Sequence, residues 1–160
     1  MKIKTLIDED FTNYKKPSLF IGTALCDWKC CTEQGLPIST CQNQPLVRQE
    51  NKEISKADLV KRYISNPITQ AVVFGGLEPM LQIDDIVSFI NLLRHKGCND
   101  DVVIYTGYYP EEVVGILDIL KCYQNIVVKF GRYMPNSTPH YDEALGVNLA
   151  SDNQFAKRIS

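Results

Sequence analysis

Apolar residues along the chain switch between two arrangements, and the switch marks where strands give way to helices. AVVF at 71–74, VVIYT at 102–106 and NIVVKF at 125–130 are mostly continuous, β-branched runs of strand length. Each stops at glycine, at Gly75-Gly76, Gly107 and Gly131 respectively. Runs of this kind suit strands buried on both faces, where neither side has to meet water. SLFIG, Ser18 to Gly22, is the first segment that reads as a strand. Between the runs the apolar residues recur at helical spacing. In Asp84 to His95, Ile86, Phe89, Ile90 and Leu93 make one stripe, acids open the segment and Gly97 lies just past it. Acids in a first turn and glycine after a last one are helix boundary signals. Pro110 with Glu111-Glu112 predicts another helix, carrying Val113, Ile116, Leu117 and Leu120. Ser55 to Asp58 has capping-box spacing, with Asp rather than Glu or Gln at its last position. It predicts a helix through about Ile64, ended by Asn66-Pro67.

Beyond Gly131 the chain reads as irregular, with Pro135 and Pro139, then a short strand from Gly146 to Leu149 and a closing helix from about Asp152. The order is strand, loop, helix, strand, helix, strand, helix, strand, which is a succession of βα units. It predicts one α/β domain over residues 1–160, a mostly parallel sheet with helices packed outside. Sites in such folds form where loops leave the C-terminal strand ends. The cysteine-bearing stretch after Gly22, the Gly75-Gly76 turn and Thr106-Gly107 all follow strands directly, so all three fall on that edge.

Composition agrees with a single globular domain: 160 residues, 44% hydrophobic and 22% charged. The net charge of −2 gives no electrostatic case for a nucleic-acid partner. Lys15-Lys16 and Lys61-Arg62 read as solvated faces. No apolar run reaches the roughly 20 residues of a membrane-spanning helix, and MKIKTLIDEDF lacks a signal-peptide core. The expected location is the cytoplasm, with no membrane partner.

That compartment changes how the six cysteines are read. They stand at 26, 30, 31, 41, 98 and 122, four of them between Cys26 and Cys41. Clustering in a reducing environment points to metal coordination more than to disulfides. From Cys26 to about Asn51 the chain is polar, with Gly35, Pro37 and Pro45, and reads as a long loop of the kind that usually carries function. Cys26, Cys30 and Cys41 offer three thiolates, soft donors suited to an iron–sulfur cluster or to zinc. Three ligands on a four-iron cluster leave one iron open. Cys31 diverges from its neighbour and reads as packing. A structural zinc site using all four cysteines is the alternative, without the paired C-x2-C knuckles of zinc ribbons. Cys98 and Cys122 read as small buried apolar residues.

LCDWKC (25–30), CQNQ (41–44) and GGLEP (75–79) resemble the radical S-adenosylmethionine superfamily. YTGY (105–108) and ASDNQ (150–154) are similar to the small activating enzymes of anaerobic ribonucleotide reductase, over nearly the whole chain. The resemblance implies an incomplete (β/α) barrel. It also implies a [4Fe–4S] cluster on Cys26, Cys30 and Cys41, with S-adenosyl-L-methionine chelating the fourth iron. Reductive cleavage would then give methionine and a 5′-deoxyadenosyl radical, which takes hydrogen from a glycine of a glycyl-radical enzyme. A reduced electron donor is implied as well. The pattern departs from the usual C-x3-C-x2-C, because position 33 is Glu33 and Thr40 replaces the aromatic residue that often precedes the third cysteine.

The same resemblance gives the Gly75-Gly76 turn to the cofactor's amino group, with Glu78 displaced by the inserted Leu77. Thr106 at its strand end, Lys129 and Asn153 with Gln154 are the remaining candidates for cofactor contacts. Lys129 lies inside an apolar strand, where a charge needs a partner or a route to water. Trp28 offers an aromatic face near the cluster. Two other readings stay open: a non-catalytic zinc or iron–sulfur module, and a simple electron carrier, which gives no reason for the glycine turn.

Overall fold

In the computed structural model, which describes residues 1–160, the three continuous apolar runs are neighbouring strands. The chain begins with β1 (Lys2–Asp10) and β2 (Ser18–Thr23), then two short helices, α1 (Lys29–Thr32) and α2 (Gln44–Val47), within the cysteine-bearing stretch. There follow β3 (Lys52–Glu53), α3 (Lys56–Ser65), β4 (Ala71–Gly76), α4 (Ile83–His95), β5 (Asp101–Tyr105), α5 (Val114–Leu120) and β6 (Ile126–Phe130). The last elements are β7 (His140–Asp142), β8 (Val147–Leu149) and β9 (Phe155–Arg158). Ser55 caps α3 as its spacing predicts, its Oγ accepting from Asp58 N at 3.0 Å.

Seven strands form one sheet in the order β3-β1-β2-β4-β5-β6-β9, and β7 pairs with β8 separately. The expected incomplete barrel, mostly parallel with helices outside, does not form. Only β2-β4, β4-β5 and β5-β6 are parallel. The pairings of β1 with β2, β1 with β3 and β6 with β9 are antiparallel. Reversing strands therefore occupy both margins of the parallel centre, so no further βα unit can extend it around toward closure. The result is a mixed, open α/β sheet with few helices.

The C-terminal helix expected from about Asp152 is also replaced by strand. Gln154 Oε1 accepts from Ala150 N at 3.1 Å and Ser151 N at 3.2 Å, forming a tight turn. That turn delivers Phe155–Arg158 to the outer edge of β6, whose backbone groups would otherwise lack partners.

One face of the sheet packs against α3, α4 and α5 through 21 buried residues, among them Leu59, Phe74, Phe89 and Leu120. Phe74 and Phe89 meet edge to face with centroids 5.3 Å apart. The other face has no helix. Leu145 and Leu149, from the β7–β8 region, cover it with Tyr14 against Phe20, Val73, Val103 and Val127. At the N-terminal strand ends Asp101 gathers Tyr14 Oη (3.0 Å), Lys16 Nζ (2.6 Å) and Arg158 Nη2 (2.7 Å), which closes that edge with charge. The opposite edge is left open. No helix is long and apolar enough to cross a membrane.

Candidate metal centre

The C-terminal ends of β2, β4, β5 and β6 surround a cavity of about 330 Å³. Cys26, Cys30 and Cys41 all line it, with Gly75, Gly76, Glu78, Thr106 and Lys129. Cys31 does not: it is buried, and its Sγ lies 3.8 Å from that of Cys30. Asn153 also stays off the wall, donating through Nδ2 to Tyr109 Oη at 2.9 Å and to the Arg132 carbonyl at 3.0 Å. Its neighbour Gln154 lines the cavity instead.

The cysteine stretch is tied down at both ends. Gln82 Oε1 accepts from Ala24 N (2.7 Å) and Leu25 N (3.2 Å), while Glu78 N donates to the Leu25 carbonyl at 2.7 Å. Farther along, Lys4, buried on β1, donates to the carbonyls of Val47 (3.2 Å) and Gln49 (2.5 Å). Asn43 Nδ2 donates to the Gly76 carbonyl at 2.5 Å, which joins the Cys41 turn to the glycine turn. Trp28 adopts a left-handed conformation, φ 63°, and this aims its N–H at Cys26 Sγ, 3.3 Å away. Asn43 N donates to Cys41 Sγ at 3.4 Å in the same manner. Backbone N–H groups on sulfur are the contacts that stabilise thiolates and tune iron–sulfur potentials.

Burial pushes the Cys26 thiol up to about 11. The Cys30 thiol is raised by its hydrogen bond to Cys41. The bond that raises Cys30 lowers Cys41, so a thiolate stands beside protonated thiols at the cavity, and binding of a metal would displace the remaining protons. No three His, Cys, Asp or Glu side chains converge tightly enough to hold one ion. A four-iron cluster makes a different demand, since each thiolate binds a different iron and the sulfurs ring a volume. The three cysteines and their N–H···S contacts fit that group.

Glu78 and Thr106 meet each other. The buried Glu78 carboxylate accepts from Thr106 Oγ1 (2.7 Å), Gly107 N (2.9 Å) and Met80 N (3.0 Å), and burial holds its pKa above the usual carboxylate value. These bonds clamp the ends of β4 and β5 together. Gly76, with φ 86°, passes so close to β2 that a Cβ would come within 2.8 Å of Gly22 Cα. Lys129 is only 6% exposed and donates to the Gly131 carbonyl alone, at 2.8 Å. Burial pulls its pKa down to about 7.

Ion pairs that no local spacing predicts stand on the rim. Arg132 binds Glu33 and Glu112, Lys29 binds Glu112, and Tyr108 Oη donates to Asp27 at 2.6 Å. Glu33 and Arg132 are 99 residues apart, so no local pattern announces their pairing.

A family model described as a 4Fe-4S single cluster domain matches residues 23–153, from the end of β2 to the turn before β9. None of the curated proteins compared with the chain matches it.

Proposed function

The chain belongs to the 4Fe-4S single cluster domain family, and we propose that Cys26, Cys30 and Cys41 hold the cluster with one iron left open to S-adenosylmethionine. When bound and reduced, the cluster supplies the electron that divides the sulfonium into methionine and a 5′-deoxyadenosyl radical. This domain type is found in radical S-adenosylmethionine proteins.

What carries the reading is one observation: the cavity takes in Cys26, Cys30 and Cys41, excludes Cys31, and has the Gly75-Gly76 turn and Lys129 on its wall. Each residue then has a task. The two glycines leave backbone within reach of the cofactor's amino end. Lys129 offers an amine to its carboxylate, an anion that would restore the charge burial removes. Glu78 and Thr106 fix the strand ends rather than reach for the ligand, and Asn153 fixes Arg132. The substrate is a glycine in a glycyl-radical enzyme such as anaerobic ribonucleotide reductase, with a reduced donor feeding the cluster in the cytoplasm.

The test is anaerobic reconstitution with iron and sulfide, reduction with dithionite and addition of S-adenosylmethionine. 5′-Deoxyadenosine should form. Iron-loaded, reducible protein that leaves the cofactor intact would make the chain a cluster-binding module without this activity.

A further inference from the structure

Counted from Cys26, the common C-x3-C-x2-C pattern puts a third cysteine at position 33, where this chain has Glu33. The side chain there has a different engagement. Arg132 Nη2 donates to Glu33 Oε1 at 2.8 Å, and Nε lies 2.6 Å from Oε2. The same guanidinium donates to Glu112 through Nη1 (2.7 Å) and Nη2 (2.6 Å), and to the Gly107 carbonyl at 3.2 Å. It also stacks over Tyr109, 5.0 Å from the ring centroid. The Arg132 side chain is 6% exposed; Nη1 and Nη2 each bond two oxygens, while Nε lies against the Glu33 carboxylate without making a hydrogen bond.

The segment it grips needs an external hold. α1 has four residues and no side-chain cap, far too few to be stable alone. Contacts bracket Cys30 on both sides: Glu33 to Arg132 after it, Lys29 to Glu112 at 3.2 Å and Asp27 to Tyr108 before it. Gln34 Nε2 adds bonds to the Cys30 carbonyl and, at 2.9 Å, to the Tyr133 carbonyl. All of these except the bond to the Cys30 carbonyl lead to the loops after β5 and β6.

We propose that Arg132 is the positioning residue of the centre, a buried guanidinium that binds Glu33 and Glu112 together and so holds Cys30 at the cavity, with position 33 serving as an anchor instead of a ligand. The inference rests on Cys30 being a cluster ligand. A buried guanidinium whose planar fork grips two carboxylates at once is a more exacting fastening than a surface ion pair.

Two measurements on Arg132→Met, Arg132→Lys and Glu33→Gln test it. In iron-free protein, amide hydrogen exchange over 28–36 should accelerate about tenfold in Arg132→Met and about threefold in Glu33→Gln, whose carboxylate is half exposed. The β4–β6 amides should keep wild-type rates. In reconstituted protein, iron release to a ferrous chelator should accelerate in the same order, with Arg132→Lys between wild type and Arg132→Met. Unchanged exchange over 28–36, acceleration spread equally through the sheet, or iron release that ignores all three substitutions would each overturn the proposal. A wild-type chain that takes up no iron would defeat the cluster reading, while the exchange comparison would still decide whether Arg132 clamps the segment.

Discussion

Replacing Lys129 by methionine should make the iron-free protein more stable. The amine is 6% exposed, bonds only the Gly131 carbonyl and meets no carboxylate at bonding distance. Burial lowers its pKa from 10.5 to about 7. At roughly 1.4 kcal/mol for each pH unit, that displacement is a cost on the order of 4 kcal/mol near neutrality. Methionine is similar in length and carries no charge, and the Gly131 carbonyl keeps a donor in Gln154 Nε2 at 3.3 Å. Allowing for relaxation around the amine, the expected gain is about 2–4 kcal/mol at pH 7. The sign with pH follows from proton counts. Between the folded value near 7 and the unfolded value of 10.5 the unfolded chain holds more protons, so wild-type stability climbs with pH through that window. Urea unfolding from about pH 7 to about pH 8 should show a steeper rise in wild type than in Lys129→Met, because the cysteines are common to both proteins and contribute the same slope to each. Binding of S-adenosylmethionine should weaken in the variant. In wild type above pH 7 it should draw in a proton, measured as a buffer-dependent binding enthalpy. Equal stability and parallel pH slopes in the two proteins would refute the argument.

Three further outcomes can be checked. Glu78→Gln replaces one acceptor oxygen by N–H₂, so either Met80 N and Thr106 Oγ1, which donate to Oε1, or Gly107 N, which donates to Oε2, loses its acceptor, and stability should fall by about 1–3 kcal/mol in thermal unfolding. Gly76→Ala meets Gly22 backbone at 2.8 Å with φ 86°; unfolding should register a loss of at least about 2 kcal/mol, together with poorer iron uptake. Cys98→Ser and Cys122→Ser lie outside the cavity, and iron content after reconstitution should match wild type.

The parallel centre of the sheet could be read from sequence because its strands are buried on both faces, so AVVF, VVIY and IVVKF are apolar throughout apart from Lys129. The margins could not. KIKTLIDED forms β1 although charges interleave its apolar positions, and Lys4 is buried there only because it bonds carbonyls far along the chain. FAKR at 155–158 is a short, mostly exposed edge strand whose pattern fits a helix as readily. Those two strands decide that the sheet stays open, and neither the βα order, which pointed to a mostly parallel sheet, nor the resemblance, which implied an incomplete barrel, announced them. At the site, the cysteines and the glycine turn follow strands directly, and topology brings them together. Asn153 follows a turn whose chain then reverses into β9, so it faces Arg132 instead of the cavity. The Arg132 clamp depends on pairings across most of the chain, which no local spacing encodes.

The central claim is that Cys41, and not Cys31, completes the set of sulfurs with Cys26 and Cys30. Its most direct test is the iron content and the electron paramagnetic resonance signal of dithionite-reduced Cys31→Ala and Cys41→Ala, each reconstituted anaerobically beside wild type. The account predicts about four irons and a reduced-cluster signal in Cys31→Ala, and loss of both in Cys41→Ala. A cluster that survives in Cys41→Ala but vanishes in Cys31→Ala would contradict it.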